Sequence, residues 1–158
     1  YSSTLVRVFR EAKLRGETFK VLVAESESKG VKHGVNLARQ LVEESIAVEV
    51  FPDERLEDMV RDGFLALLGA DGILPDGSVI NGKPSLLLAE KVGGKGKPVY
   101  VVCDSFKVSP FHLRVEEGFD LIPSRLITGV VTERGIFKAE EIGELVKETL
   151  KYGETLLK

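Results

Sequence analysis

The run Phe64-Leu65-Ala66-Leu67-Leu68 is apolar at every position. Such a run is too short for a helix, and it suits a strand of a parallel sheet whose two faces are both covered. A strand of that kind requires parallel neighbours and crossover helices, and the rest of the chain reads as a supply of both. Residues 19–24 form a second short apolar run, ended by the polar, Gly-containing residues 25–30. Further strands are expected at residues 46–51, 98–103 and 126–132, the last of these being the final strand.

Helical spacing of apolar residues predicts the intervening helices. Leu5, Val6, Val8, Phe9, Ala12 and Leu14 follow a candidate N-cap at Ser2 or Ser3, and Gly16 suits the left-handed stop. Val35, Leu37, Ala38, Leu41 and Val42 predict a second helix. Asp53 is expected to cap a short third one carrying Leu56, Met59 and Val60, closed by Gly63. Residues 86–92 predict a helix ended by Gly93-Gly94, and residues 139–152 a last one with Ile142, Leu145, Val146, Thr149 and Leu150 on one face. Pro75-Asp76-Gly77 has type I turn chemistry, so residues 73–80 read as a hairpin-like excursion. Strands alternating with helices give an α/β class: a Rossmann-like, doubly wound, mostly parallel sheet with helices on both faces. At 158 residues the chain is the size of one such domain, and residues 1–158 are read as one.

Composition removes several classes. Lys and Arg number 22 against 25 Asp and Glu, so a net charge of -3 gives no general attraction for nucleic acid. One cysteine excludes an internal disulfide or a thiolate cluster, and no apolar run is long enough to span a membrane. No basic segment precedes an apolar one as an export signal would, so the cytosol is expected. Asn and Gln total three (Asn36, Gln40, Asn81), and there is no Trp, as in heat-adapted proteins.

Sheets of this class bind ligands at loops leaving the C-terminal strand ends, which here are residues 25–34, 69–76 and 104–110. Gly69-Ala70-Asp71-Gly72 follows the most apolar run. Asp71 therefore stands where walls that exclude water would raise its pKa and fit it for acid/base work, or else it caps its own turn. Residues 25–30 would offer N–H groups of a helix start to a phosphate, although Glu25 and Glu27 oppose an anion. Neither GxGxxG nor GxxxxGK[ST] occurs, and Gly94-Lys95-Gly96-Lys97 reads as a helix stop. His33 and His112 lack ligand companions at metal spacing, and no cofactor is called for. Asp104 beside Cys103 would raise the thiol's pKa rather than activate it.

The segment Gly69-Ala70-Asp71-Gly72-Ile73-Leu74-Pro75-Asp76-Gly77-Ser78-Val79-Ile80-Asn81 resembles the signature of the translation initiation factor 2B alpha/beta/delta family, which includes methylthioribose-1-phosphate and ribose-1,5-bisphosphate isomerases. Tyr1-Ser2-Ser3-Thr4, residues 19–26, residues 98–103 with Phe106-Lys107-Val108-Ser109-Pro110, and Phe119-Asp120-Leu121-Ile122-Pro123 with residues 127–133 resemble further family blocks in the same order. The resemblance implies the C-terminal, dimerising Rossmann-like domain of a longer architecture whose helical N-terminal domain precedes it. The missing initiator Met fits a processed chain or fragment.

In the isomerases, a Cys in an upstream turn works with the Asp of the GAD segment on C1 and C2 of a sugar phosphate. Asp71 matches that Asp, whereas the Cys position falls at or before Tyr1 and Cys103 belongs to another strand. Asn81 matches, but Gly82-Lys83-Pro84-Ser85 replaces the isomerases' Lys-Ile-Gly-Thr, and Glu27-Ser28 replaces an Arg-Pro. A carboxylate in place of a phosphate-binding cation repels the ligand. The ligand-binding positions indicated are Glu25, Ser26, Gly69, Asp71, Asn81 and Lys83, with none assigned as catalytic. The function implied is a non-catalytic regulatory subunit that binds initiation factor 2, chiefly its alpha subunit, and related 2B-type subunits. A homodimer and a pocket for a sugar phosphate or nucleotide are expected with it. The alternatives are a sugar-phosphate aldose-ketose isomerase and an α/β ligand-binding protein with a changed role.

Overall fold

The computed structural model describes residues 2–28, 30–60 and 63–156. Tyr1 and Lys29, both in segments singled out above, lie outside the described residues. The chain divides into two compact units, residues 1–64 and 65–158.

In the first unit, helix α1 (Ser3–Leu14) starts where the Ser2 hydroxyl accepts from the Leu5 N–H at 3.4 Å. It stops as predicted: Gly16 takes φ 84°, and the Gly16 and Glu17 N–H groups return to the Lys13 and Ala12 carbonyls. Strand β1 (Lys20–Ala24) leads to a two-residue ladder, β2 (Glu27–Ser28) against β3 (Val31–Lys32), where a plain loop was expected. Helix α2 (His33–Glu43) then crosses to β4 (Ala47–Phe51), which pairs parallel to β1 in the register Lys20↔Ala47 through Ala24↔Phe51. Val6, Val21, Val23, Ala38, Leu41 and Ile46 form the core, with Phe9 and Phe19 packed on it at 5.8 Å between ring centroids. A 3₁₀ turn (Asp53–Arg55) and the short α3 (Leu56–Met59) follow. Asp53 is no helix cap: it opens the 3₁₀ turn after Pro52, Arg55 holds the N-cap position of α3, and the Asp53 carboxylate turns back to the backbone of Ser26 and Glu27.

In the second unit, β5 (Ala66–Leu68) pairs parallel to β8 (Val99–Val102), β8 pairs parallel to β10 (Gly129–Thr132), and β11 (Gly135–Phe137) closes the edge antiparallel to β10. The most apolar run is therefore the end strand of this four-stranded sheet, and Leu65 is 47% exposed, so it is not the central strand expected. That place goes to β8 and β10, where Val99, Val101 and Val130 are fully buried. The last predicted strand is followed by another, because Glu133-Arg134 allows an immediate return of the chain.

Residues 72–82 form the expected hairpin, β6 (Gly72–Ile73) with β7 (Val79–Gly82). Its turn is closed by the Gly77 N–H on the Leu74 carbonyl at 2.9 Å, with Gly77 at φ 78°. β9 (Phe119–Ile122), which periodicity alone missed, adds a third antiparallel strand beside β7. Helix α4 (Ser85–Gly94) runs through Gly93-Gly94 and stops at Gly96, whose φ is 67°. Helix α5 (Ile142–Leu156) follows a 3₁₀ turn at Ala139–Glu141 and anchors through fully buried Ile142. Among the described residues no helix is long and apolar enough to cross a membrane.

Candidate functional site

Four of the six indicated residues lie together in the second unit, and the antiparallel ladder explains why. Gly72 pairs with Ile80, so Asp71 and Asn81 stand across from each other one step further, and Asn81 in turn faces Asp120 on β9. The Asp71 N–H donates to the Ile80 carbonyl at 2.8 Å, which fixes the backbone at the mouth of the hairpin. Its side chain is exposed and accepts no hydrogen bond from any described residue. Asp71 is thus neither a turn cap nor a carboxylate walled off from water, and the two explanations offered by its spacing both give way to a solvent-facing acid. Gly69, two residues before it, is buried.

Asn81 has a partner within the chain. Its amide donates to the Ser85 hydroxyl at 2.7 Å, and that hydroxyl donates to the Gly82 carbonyl at 2.6 Å. Lys83 is exposed, its N–H held by the Gly118 carbonyl at 3.0 Å, and it precedes a cis bond to Pro84. Asp120 accepts from the Leu86 N–H at 3.0 Å, so a side chain from β9 caps α4, whose own N-cap position holds Pro84. Lys83, Pro84, Leu86, Leu87, Glu90 and Asp120 line a shallow groove of about 230 Å³ beside this cap.

The segment 104–110 is clipped to the same hairpin. Ser109 donates its N–H to the Ile73 carbonyl at 2.8 Å, and Val108 forms a parallel bridge with Ile73. Glu133 accepts from both the N–H of Ser105, at 2.9 Å, and its hydroxyl. These bonds, the hydroxyl's first, hold the Glu133 carboxyl below the usual carboxylate range. Cys103, just before this segment, is buried, and its thiol is pushed up to about 12, chiefly by desolvation and then by the charges of Asp104 and Glu133. The direction agrees with the effect expected from Asp104, but burial is the larger cause.

Glu25 and Ser26 belong to the first unit. Glu25 donates its N–H to the Phe51 carbonyl at 3.0 Å and accepts from the Lys32 ammonium at 2.8 Å, a bond that raises the Lys32 pKa. Ser26 takes the left-handed region at φ 51°, and its carbonyl accepts from the His33 N–H at 3.3 Å. His112, in the second unit, is exposed.

Gly34 was missed as a site-shaping residue. A Cβ there would lie 1.9 Å from the Ala24 carbonyl oxygen, so only glycine lets α2 start directly against the end of β1. Its N–H donates to the Glu25 carbonyl at 2.9 Å. A lone glycine two residues after an ammonium was the only sequence signal.

Parallel strands joined by crossover helices, with an antiparallel edge strand, define an α/β protein of Rossmann-like class. The model of the initiation factor 2 subunit family matches residues 1–117, and the chain belongs to that family. It is 34% identical over 156 residues to the eIF-2B subunit 2-like protein of Pyrococcus furiosus, covering 86% of this chain and 55% of that protein. It is 29% identical to the methylthioribose-1-phosphate isomerase of Aquifex aeolicus, over 92% of this chain and 38% of the isomerase. The crystal structure of Pyrococcus horikoshii OT3 translation initiation factor eIF-2B superposes with a TM-score of 0.79 at 30% identity, over 87% of this chain and 56% of that one. The chain thus spans about half the length, or less, of these relatives.

Proposed function

We propose that this chain is a non-catalytic regulatory subunit of the initiation factor 2B type. In this reading residues 1–158 are the C-terminal, Rossmann-like part of a longer cytosolic subunit. It homodimerises and binds initiation factor 2 through the alpha subunit, or binds related 2B-type subunits. The Asp71 hairpin keeps a pocket for a sugar phosphate or nucleotide, contacted by Gly69, Asp71, Asn81 and Lys83.

The observation that carries the reading is the acidic loop after β1, where Glu27 stands in place of the Arg that the isomerase resemblance implies and the Lys32 ammonium is bonded to Glu25 at 2.8 Å. Cys103 is buried, its thiol pushed up to about 12 chiefly by desolvation, and it lies on another strand than the cysteine position that the isomerase resemblance implies. Asp71 has no second acid or base bonded to it among the described residues. The names of the Pyrococcus relatives point the same way.

The isomerase reading is second, and it rests on the exposed carboxylate of Asp71 together with the Aquifex relative. Full-length protein containing this chain is to be tested with methylthioribose-1-phosphate and ribose-1,5-bisphosphate, and on immobilised initiation factor 2 alpha. The expected result is retention at micromolar concentration without turnover. Turnover that vanishes in Asp71→Asn overturns the non-catalytic role, and loss of retention overturns the partner.

A further inference from the structure

Parallel pairing sends the loops that follow β1 and β4 out of their sheet side by side. Ala24 stands opposite Phe51, and two residues on from each stand Ser26 and Asp53. There the Asp53 carboxylate accepts from the Ser26 N–H at 2.9 Å through one oxygen and from the Glu27 N–H at 3.2 Å through the other. Adjacent backbone N–H groups aimed at one anion are the donor arrangement with which turns hold phosphate and other oxyanions. The left-handed φ of 51° at Ser26, rare for a residue with a side chain, goes with that arrangement.

We propose that Asp53 is an internal stand-in for a ligand oxyanion: it fills the donor pair of the Ser26–Glu27 turn from within the chain, fixes Ser26 in its left-handed conformation and sets the loop against phosphorylated ligands. Lys32 reinforces the exclusion, because its ammonium is bonded to Glu25 at 2.8 Å. A phosphate entering the loop has to displace the Asp53 carboxylate and meet Glu25 and Glu27 as well. Asp53 is accordingly a positioning and specificity-determining residue. The inference stands on the geometry of the first unit alone, so it survives or fails independently of any partner of the protein.

The test follows the Ser26 and Glu27 amides of 15N-labelled protein by hydrogen exchange and by titration with millimolar inorganic phosphate. In the wild type both amides are protected and neither moves with phosphate. Asp53→Asn retains one acceptor oxygen, so protection falls by about tenfold at Glu27 and persists at Ser26. Asp53→Ala exposes both amides, and both shift saturably with phosphate. Wild-type amides that titrate, unchanged protection in Asp53→Asn, or Asp53→Ala amides that ignore phosphate each overturn the proposal. Exchange at Val23 in β1 reports whether a variant is folded, and if Asp53→Ala is not, the near-isosteric Asp53→Asn decides alone.

Discussion

Replacing Gly34 by alanine tests how tightly α2 is seated on the end of β1. The added Cβ would sit 1.9 Å from the Ala24 oxygen and 3.0 Å from both the Ala24 carbonyl carbon and the Glu25 oxygen. That is about 1.5 Å short of ordinary contact with the nearest atom, and all three neighbours are backbone, which no rotamer change can clear. The helix start must move, stretching the 2.9 Å bond from Gly34 to Glu25. Overpacking of this kind costs about 2 kcal/mol and the weakened bond about 1 kcal/mol, giving about 3 kcal/mol in all. With a urea slope of about 2 kcal/mol per molar, the unfolding midpoint drops by about 1.5 M. Gly93→Ala is the matched control: Gly93 lies inside α4 with nothing within 4 Å of its would-be Cβ. That variant should gain about 0.5 to 1 kcal/mol from helix propensity. A Gly34→Ala unfolding free energy within about 0.5 kcal/mol of wild type refutes the packing argument.

Other perturbations read different parts of the structure. Asp120→Ala removes the carboxylate that caps α4 at Leu86 and should cost about 1 kcal/mol in equilibrium unfolding, whereas Asp71→Ala, with no internal partner, should stay within about 0.5 kcal/mol of wild type. Iodoacetamide should label Cys103 in the folded protein at pH 8 orders of magnitude more slowly than in urea, as mass spectrometry over a time course would show, because burial both shields the thiol and pushes it up to about 12. Glu133 is depressed by its bonds to Ser105, so its contribution to stability is present above the ordinary carboxylate pKa and is lost as pH falls through the lower folded value. Ser105→Ala should therefore move the Glu133 carboxyl resonance titration upward, toward the ordinary value.

Local chemistry carried much of the fold from the sequence. The Ser2 cap, the Gly16 stop and the Leu74–Gly77 turn each depend on residues within a few positions of one another, and each formed as read. The errors came where distant pairing decides. Residues 64–68 are apolar enough for a central strand, but apolarity does not encode strand order, and they pair on one side only within the four-stranded sheet. Asp53 has the local look of a helix cap, yet its partners lie 26 and 27 residues earlier and are reached through the β1–β4 register. β9 alternates too weakly to be read alone, because Leu121 faces outward at 41% exposure while Ile122 is fully buried. Of the candidate positions, Gly69, Asp71 and Asn81 came from one continuous motif, residues 69–81, with Lys83 just beyond it, and Asn81 alone of the four lies within the ladder of residues 72–82. The exposure of Asp71 was not legible, since nothing in its neighbours' polarity states which way the hairpin mouth faces.

Ile73 is stitched to the following segment by its own carbonyl, and that seam ties two regions of unlike character. On one side stands the strand that begins right after Asp71; on the other runs a stretch bearing Phe106 at 93% and Phe111 at 69% exposure. The Ser109 amide on the Ile73 carbonyl and the Val108 bridge are what join the two. An oily outer rim is thereby anchored one strand's breadth from a lone carboxylate by a single backbone seam.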